Sequence, residues 1–375
     1  MKKELIKELK GLRKRIELMP KSKKRDILFD DYYRYVSFLR DLKIIGNDGE
    51  FYEFNGDEDS ANLKIVQKRL NEMIEMVDNT PLLGDIIEKI IEVYHENNYY
   101  ADSTYKDMKI DTRDINRILI DYFRFLDDDI LKIYNRLVNE ECIYLAPLSN
   151  AGGETCFRTF DKLSNIIVNG KGNDLYDYLA LAHEVGHAYQ KYLERNNTNL
   201  HGFQYGIEIT SMLFEKLFIK YLEDNYLFKD QVTAINEWEL ANNLNTLVHC
   251  KLISDVLKED GSYVDFNDYS VHCNLSEEEI ISKLEEDCGY VFDDRKELDL
   301  INYTYAIGDI MSSYFYYKIL DNRKDGIKEF KNFISAIYNM PIGEFIDTYM
   351  NDTKYVKKYI NEKIGEYHKK LIKRH

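Results

Sequence analysis

Helix-breaking residues are scarce in this sequence, and that scarcity constrains the fold more than any other feature. The chain has 375 residues, of which 4 are Pro and 18 are Gly. Since both residue types weaken helix interiors, such low usage favours long, uninterrupted helices. Apolar residues recur at helical spacing, and we predict helices over residues 2–19, 23–44, 63–77, 80–95 and 112–140. These helices predict an N-terminal helical domain over residues 1–141.

The middle of the chain contains short β-prone segments. Cys142–Ala146 predicts one strand, and residues 147–154 predict a Gly-containing loop. Ser164–Asn169 predicts a second strand, which a turn at residues 169–172 closes. From Asp174 onward the sequence is again predominantly helical. The fold class predicted is therefore mainly α with one small sheet, and residues 142–375 form the second domain.

Charge and cysteine usage exclude several classes of protein. A formal net charge of −16 argues against nucleic-acid binding, which needs a basic face. The five cysteines are an odd number without a CxxC pair, so neither a disulfide framework nor a thiolate metal site is expected. The first residues lack the apolar run of a signal peptide, and no 18 apolar residues run together. We expect a cytoplasmic protein with no membrane partner.

One motif in the second helical region has the pattern of a metal site. His183 and His187 are four residues apart, so a helix places both imidazoles on one face, where they can bind one ion. Glu184 follows the first histidine and can reach a metal-bound water from the same helix. This is the HExxH arrangement of zinc peptidases. The alternative is a pair of ordinary surface histidines on an amphipathic helix.

A third ligand is needed downstream, because catalytic zinc has three protein ligands and one open position. Glu208 follows His187 by 21 residues, at the start of an apolar helix. Glu215 lies seven residues further, on the same helix face. One of these carboxylates could bind the metal while the other accepts the free N–H of a ligand histidine.

These motifs resemble the thimet oligopeptidase and oligoendopeptidase F family of zinc peptidases, which are of the HExxH-plus-Glu (gluzincin) type. The resemblance is carried by His183-Glu184-x-x-His187, by Glu208-x-x-Ser211-x-x-x-Glu215, and by Tyr303-x-Tyr305-Ala-x-Gly308. It covers roughly residues 150–320, including the strand before the zinc helix. The fold it implies is a mainly helical, zincin-like body with a substrate channel and a small sheet beside the HExxH helix.

The resemblance also implies the site residues and the cofactor. His183, His187 and Glu208 would hold one Zn²⁺ per chain, and Glu215 would support a ligand histidine. Glu184 would be the general base that activates a zinc-bound water, and Tyr303 would donate a hydrogen bond in the transition state. Manganese or cobalt could occupy the same ligands.

The sequence departs from the family upstream of the Tyr-x-Tyr segment. Residues 293–300 contain neither the His nor the additional Tyr that family members have there. The sequence before the zinc helix and the loop between His187 and Glu208 are also shorter than usual. Residues that could replace the missing groups are Arg295, Tyr290, Tyr305 and His201.

The function predicted is zinc-dependent hydrolysis of peptide bonds in short, unstructured peptides by an oligoendopeptidase. The edge of the strand over residues 164–169, including Ile166 and Val168, is expected to pair with the substrate backbone. One alternative is a zinc carboxypeptidase or a specific protein-cleaving protease, with Arg158 or Arg295 binding a carboxylate. Another is an inactive zinc-binding interaction protein, which the missing His and Tyr would favour and the intact Glu184 opposes. The sequence leaves the oligomeric state open.

Overall fold

The structure is a computed structural model that describes part of the chain. The continuous described ranges are 2–20, 108–146, 152–158, 163–194, 206–239 and 296–337. Single positions or pairs are also described at 25, 28, 32, 36, 242–243, 348–349, 354–355, 358, 361–362 and 365. The predicted helices over 63–77 and 80–95 lie outside these ranges.

The N-terminal helices follow the apolar periodicity with one difference. Helix α1, Lys2–Glu17, buries Leu9 and Ile16 and confirms the first predicted helix. The single helix predicted over 112–140 is wrong, because two helices occupy that range: α2, Ile115–Leu126, and α3, Asp128–Asn139. Asp127 interrupts them with extended backbone angles, and its side chain accepts a hydrogen bond from the Asp129 amide as the N-cap of α3.

A three-stranded sheet follows these helices. The strands are β1, Ile143–Ala146; β2, Gly153–Arg158; and β3, Leu163–Asn169. The strand order is β1-β3-β2, with β3 parallel to β1 and antiparallel to β2. Both predicted strands are confirmed, whereas β2 begins inside the stretch predicted as a loop. After β3 the chain turns through Gly172, whose positive φ of 71° suits a glycine.

The remaining labelled elements are helices: α4, Leu175–Glu194; α5, Ile207–Asp224; α6, Lys296–Asp321; and α7, Arg323–Ala336. Residues 229–239 are helical as well. Helix α4 packs against strands β2 and β3, and β3 is buried from Leu163 to Val168. The sheet therefore forms a support directly beneath the HExxH helix, and a mainly α fold with a small sheet beside that helix is confirmed.

The chain divides into two compact units, each assembled from separate segments. The first contains residues 1–56, 107–201 and 214–232, and the second contains 57–106, 202–213 and 233–375. In the first, the ring of Tyr122 packs 4.9 Å from that of Phe218. In the second, Phe315 packs 4.9 Å from Phe333. The predicted domain boundary at residues 141–142 stays a prediction, since compactness alone does not define a folding domain.

Helix α5 contributes residues to both units. The division falls within this continuous helix, between Leu213 and Phe214.

None of the helices in the described ranges combines the length and the apolar character needed to cross a bilayer.

Candidate metal centre and active site

The two histidines of the HExxH motif lie one turn apart on α4. Apolar residues such as Leu181 and Val185 are buried on this helix, which fixes its rotation on the sheet. The Nε2 atoms of His183 and His187 lie 3.0 Å apart. Two neutral imidazole nitrogens at this distance can share a single proton, while a cation would interact favourably with both lone pairs.

Glu208 completes a cluster of three side chains that could hold a metal ion. One ligand atom each from His183, His187 and Glu208 lies within 4.8 Å of the others. Glu208 is 7% exposed, and its carboxylate oxygen Oε2 accepts a 3.0 Å hydrogen bond from the Ser211 hydroxyl. Because Ser211 stands one turn along α5, the same helix that provides the ligand also orients it.

This donor set fits a zinc ion. Two histidine nitrogens and one carboxylate leave one position of a tetrahedral site open, as catalytic zinc requires. With Zn–N bonds of about 2.0–2.1 Å, two nitrogens on one tetrahedral ion lie about 3.3 Å apart. The 3.0 Å separation between the histidine Nε2 atoms is close to this value.

Glu215 stands behind the first histidine. Its Oε1 atom lies 3.2 Å from Nδ1 of His183, whereas the other ring nitrogen, Nε2, faces His187. A carboxylate in this position favours the tautomer with hydrogen on Nδ1, which leaves the lone pair of Nε2 available to a metal ion.

A buried tyrosine supports the backbone beside Glu215. The hydroxyl of Tyr122 donates a 2.6 Å hydrogen bond to the carbonyl oxygen of Phe214. Burial, with a smaller contribution from the Glu215 charge, raises the pKa of Tyr122 well above its usual value. Tyr122 therefore remains a neutral donor at physiological pH.

Strand β2 contacts the carboxylate of Glu184. This residue is 5% exposed, and its Oε2 atom accepts a 2.5 Å hydrogen bond from the Thr155 hydroxyl. The same hydroxyl lies 3.0 Å from the Glu184 carbonyl oxygen. A methyl group added to Gly153 would lie 2.6 Å from Oε1 of Glu184. Two residues of one strand thus lie against the Glu184 carboxylate.

Gly308 brings α6 close to Glu208. A methyl group at this position would lie 2.7 Å from Cβ of Glu208 and 2.8 Å from the sulfur of Met212. Only glycine permits this helix–helix approach without displacing Glu208. The last position of the Tyr-x-Tyr-Ala-x-Gly segment therefore has a packing role that its sequence pattern did not reveal.

The prediction that the strand over residues 164–169 pairs with substrate is wrong. Its residues belong to β3, which is the central strand and is bonded to β1 and β2. Ile166 and Val168 are both 0% exposed, so they are core residues. The outer strand on the Glu184 side is β2.

Other predicted site residues are placed only in part. Tyr305 is 37% exposed on α6, and the backbone of Tyr303 belongs to the same helix. The side chain of Tyr303, and His201, Tyr290 and Arg295 as a whole, lie outside what the structure describes. Their roles stay predictions.

Sequence reasoning missed the contribution of β2. Gly153 and Thr155 are 31 and 29 residues before Glu184, and no local spacing connects them to it. The Gly152-Gly153 pair was a signal, because glycine inside a strand often marks a close approach. The pair was interpreted as a loop instead.

Comparison with known proteins finds a relative with a similar sequence. No family model matches the chain. An oligoendopeptidase F homolog from Borreliella burgdorferi is 22% identical over 308 residues. The match covers 72% of this chain and 50% of the relative, so the chain spans about half the length of that protein.

Solved structures show the same fold. A structure from Bacillus anthracis str. Ames, described as an oligoendopeptidase F, has a TM-score of 0.53 at 16% identity. The superposition covers 92% of this chain and 63% of the chain of that structure. A structure from Chlamydophila abortus, described as a peptidase, has a TM-score of 0.50 at 16% identity, with coverages of 90% and 60%. In sequence the chain is similar to an oligoendopeptidase F homolog, and it shares its fold with solved structures that are described as peptidases.

Proposed function

We propose that this chain is a zinc-dependent peptidase that hydrolyses peptide bonds within short, unstructured peptides. His183, His187 and Glu208 would hold the metal, and Glu184 would act as the general base. The homologue named oligoendopeptidase F supports peptide hydrolysis as the reaction class. The clustered ligand set supports a metal ion as the cofactor.

The observation that carries this proposal is the Glu184 carboxylate. It belongs to the residue after His183 and is buried, with a donor on one oxygen. A site that only binds metal needs His183, His187 and Glu208 but has no use for a further carboxylate on the same helix. Burying a carboxylate is costly, so its presence favours a chemical role.

Each residue of the proposed site has a separate role in hydrolysis. When bound, zinc supplies a Lewis acid that polarises the scissile carbonyl and makes water a nucleophile near neutral pH. Glu184 accepts a proton from the attacking water and then delivers it to the leaving amine. Glu215 holds His183 in the tautomer that presents Nε2. Tyr303 donates to the oxyanion on the scissile carbonyl, a role that rests on the family resemblance.

The peptide backbone is proposed to lie along the outer edge of β2. In the described part of the sheet, β2 pairs with β3 on one side only. Gly153 and Thr155 of this strand contact Glu184, so an extended peptide added to that edge would pass beside the base. Backbone pairing of this kind gives affinity with little dependence on side-chain sequence.

A peptide pool tests the proposal. Unstructured peptides of graded length would be incubated with zinc-loaded protein and analysed by mass spectrometry, with chelator-treated protein as the control. We expect internal cleavage that depends on the metal and is restored when zinc is added back. Absence of any cleavage by protein that has zinc bound would contradict the proposal.

The same experiment separates the alternatives. Stepwise loss of residues from the C-terminus would indicate a carboxypeptidase. Cleavage of a folded protein, added as a separate substrate, but not of the pool would indicate a specific protease. Zinc binding without hydrolysis would indicate a metal-binding interaction protein.

A further inference from the structure

We propose that strand β2 positions the general base, with Thr155 restraining one oxygen of the Glu184 carboxylate and Gly153 providing the space for the other. Both act through Glu184 and are positioning residues. Oε1 then remains as the oxygen that exchanges the proton with water and the leaving amine. The inference rests on the proposed function, because it specifies how the base of that reaction is held.

Thr155 determines which oxygen of the Glu184 carboxylate is restrained. A hydroxyl has a single proton to donate, and its 2.5 Å distance to Oε2 of Glu184 is shorter than its 3.0 Å distance to the Glu184 carbonyl oxygen. A hydrogen bond of about 2.5–2.7 Å between a hydroxyl and a carboxylate is of the strong, charge-assisted kind. One acceptor position of Oε2 is therefore filled, and this hydrogen bond restrains rotation of the carboxylate.

Gly153 preserves the position of the other oxygen. A methyl group at Gly153 would lie 2.6 Å from Oε1, 2.8 Å from Cγ and 3.0 Å from Cδ of Glu184. Because Cγ is also too close, rotation of the carboxylate alone could not relieve the contact. Gly153 is not among the described residues with positive φ, so an alanine would fit the backbone and its effect would come from this contact.

The sheet makes this support rigid. Gly153 and Thr155 are two residues apart and therefore lie on the same face of β2, the face that contacts α4. Their partners across the antiparallel ladder are Val168 and Ile166, both fully buried in β3. A base held from a buried sheet loses less productive geometry to thermal motion than one held only by its own helix.

Substitution of Thr155 tests the first contact. Thr155→Val removes the hydroxyl at nearly constant volume, and Thr155→Ser retains it. We expect Thr155→Val to lower kcat by about 10- to 100-fold with little change in KM, because substrate binding does not use this hydroxyl. Thr155→Ser should recover most of the loss. Equal kcat for wild type and Thr155→Val, or equal losses in the two variants, would overturn the proposal.

Substitution of Gly153 tests the second contact. Gly153→Ala should lower kcat by about 10- to 100-fold, since the carboxylate must leave its position. Gly11→Ala is the matched control, because a methyl group on Gly11 meets nothing within 4 Å.

Zinc affinity, measured by chelator competition, should be unchanged in Thr155→Val. A tenfold weaker affinity would show that the strand acts on the whole metal site and would overturn the assignment to Glu184.

A measurement on metal-free protein tests the contact independently of activity. Thr155→Val should lower the Tm by a few degrees in the wild-type background and by clearly less in a Glu184→Ala background, where the hydroxyl keeps only the backbone carbonyl oxygen of residue 184 as an acceptor. The same shift in both backgrounds would overturn the proposal. If wild type hydrolyses no peptide, the proposed function fails while this coupling still reports the contact. If wild type is active and the coupling is absent, only the positioning role fails.

Discussion

The close approach of α5 and α6 at Gly308 makes the substitution Gly308→Ala a quantitative test of how the metal ligand is held. The added methyl group would lie 2.7 Å from Cβ of Glu208, so the two helices must separate by about 0.7 Å to reach ordinary contact. Overpacking of this kind costs about 1–3 kcal/mol. The intrinsic helix propensity of Ala over Gly returns about 1 kcal/mol. We therefore expect a net destabilisation of about 0–2 kcal/mol.

The displacement should also weaken metal binding. Glu208 carries the third ligand atom on the helix that must move, and disturbing the support of a ligand typically lowers metal affinity by about 10- to 100-fold. Denaturant unfolding of metal-free protein measures the stability change, and chelator competition measures the zinc affinity. Gly11→Ala on α1 is the control, with an expected gain of about 0.5–1 kcal/mol and wild-type zinc affinity. The reasoning is refuted if Gly308→Ala gains as much stability as the control and binds zinc like wild type.

Three further substitutions test separate parts of the structure. Glu215→Ala should lower zinc affinity about 10- to 100-fold in a competition assay, because His183 loses its orienting carboxylate; unchanged affinity would exclude that role. Tyr122→Phe should cost about 1 kcal/mol in denaturant unfolding at neutral pH, through the lost hydrogen bond to Phe214. Because folding raises the pKa of Tyr122, its neutral side chain stabilises the folded state fully below about pH 10, and this contribution is lost as pH rises through the folded-state pKa. The difference in free energy of unfolding between wild type and Tyr122→Phe should therefore narrow above about pH 10. A constant difference would contradict this expectation. Asp127→Ala should cost about 1 kcal/mol by removing the N-cap of α3, whereas Asp127→Asn should restore most of it.

Local pattern was sufficient to predict helix α1 and the close approach of the two histidine rings. The spacing of Leu9 and Ile16 predicted α1, and both side chains are buried on it. The i, i+4 spacing of His183 and His187 predicted that their rings would meet, and their Nε2 atoms lie 3.0 Å apart. These features depend on helical geometry alone, which a sequence encodes within a few residues.

Features set by contacts distant in sequence were not predictable in the same way. The acidic residues at 127–129 are a helix-start signal, but the apolar stripe continues past them, so the pattern predicted one helix where two form. The strand at Ser164–Asn169 was recognised from its composition, but its central place in the sheet depends on β2. The contact between Thr155 and Glu184 joins residues 29 apart through the packing of a strand on a helix.

The most direct test compares zinc content and peptide hydrolysis in wild type and Glu184→Gln. The amide keeps the size of the side chain and leaves all three metal ligands in place, but it cannot accept the proton. We predict one zinc per chain in both proteins and a loss of hydrolysis of about 10²- to 10⁴-fold in Glu184→Gln. Hydrolysis at the wild-type rate by Glu184→Gln with zinc bound would contradict the assignment of Glu184 as the base.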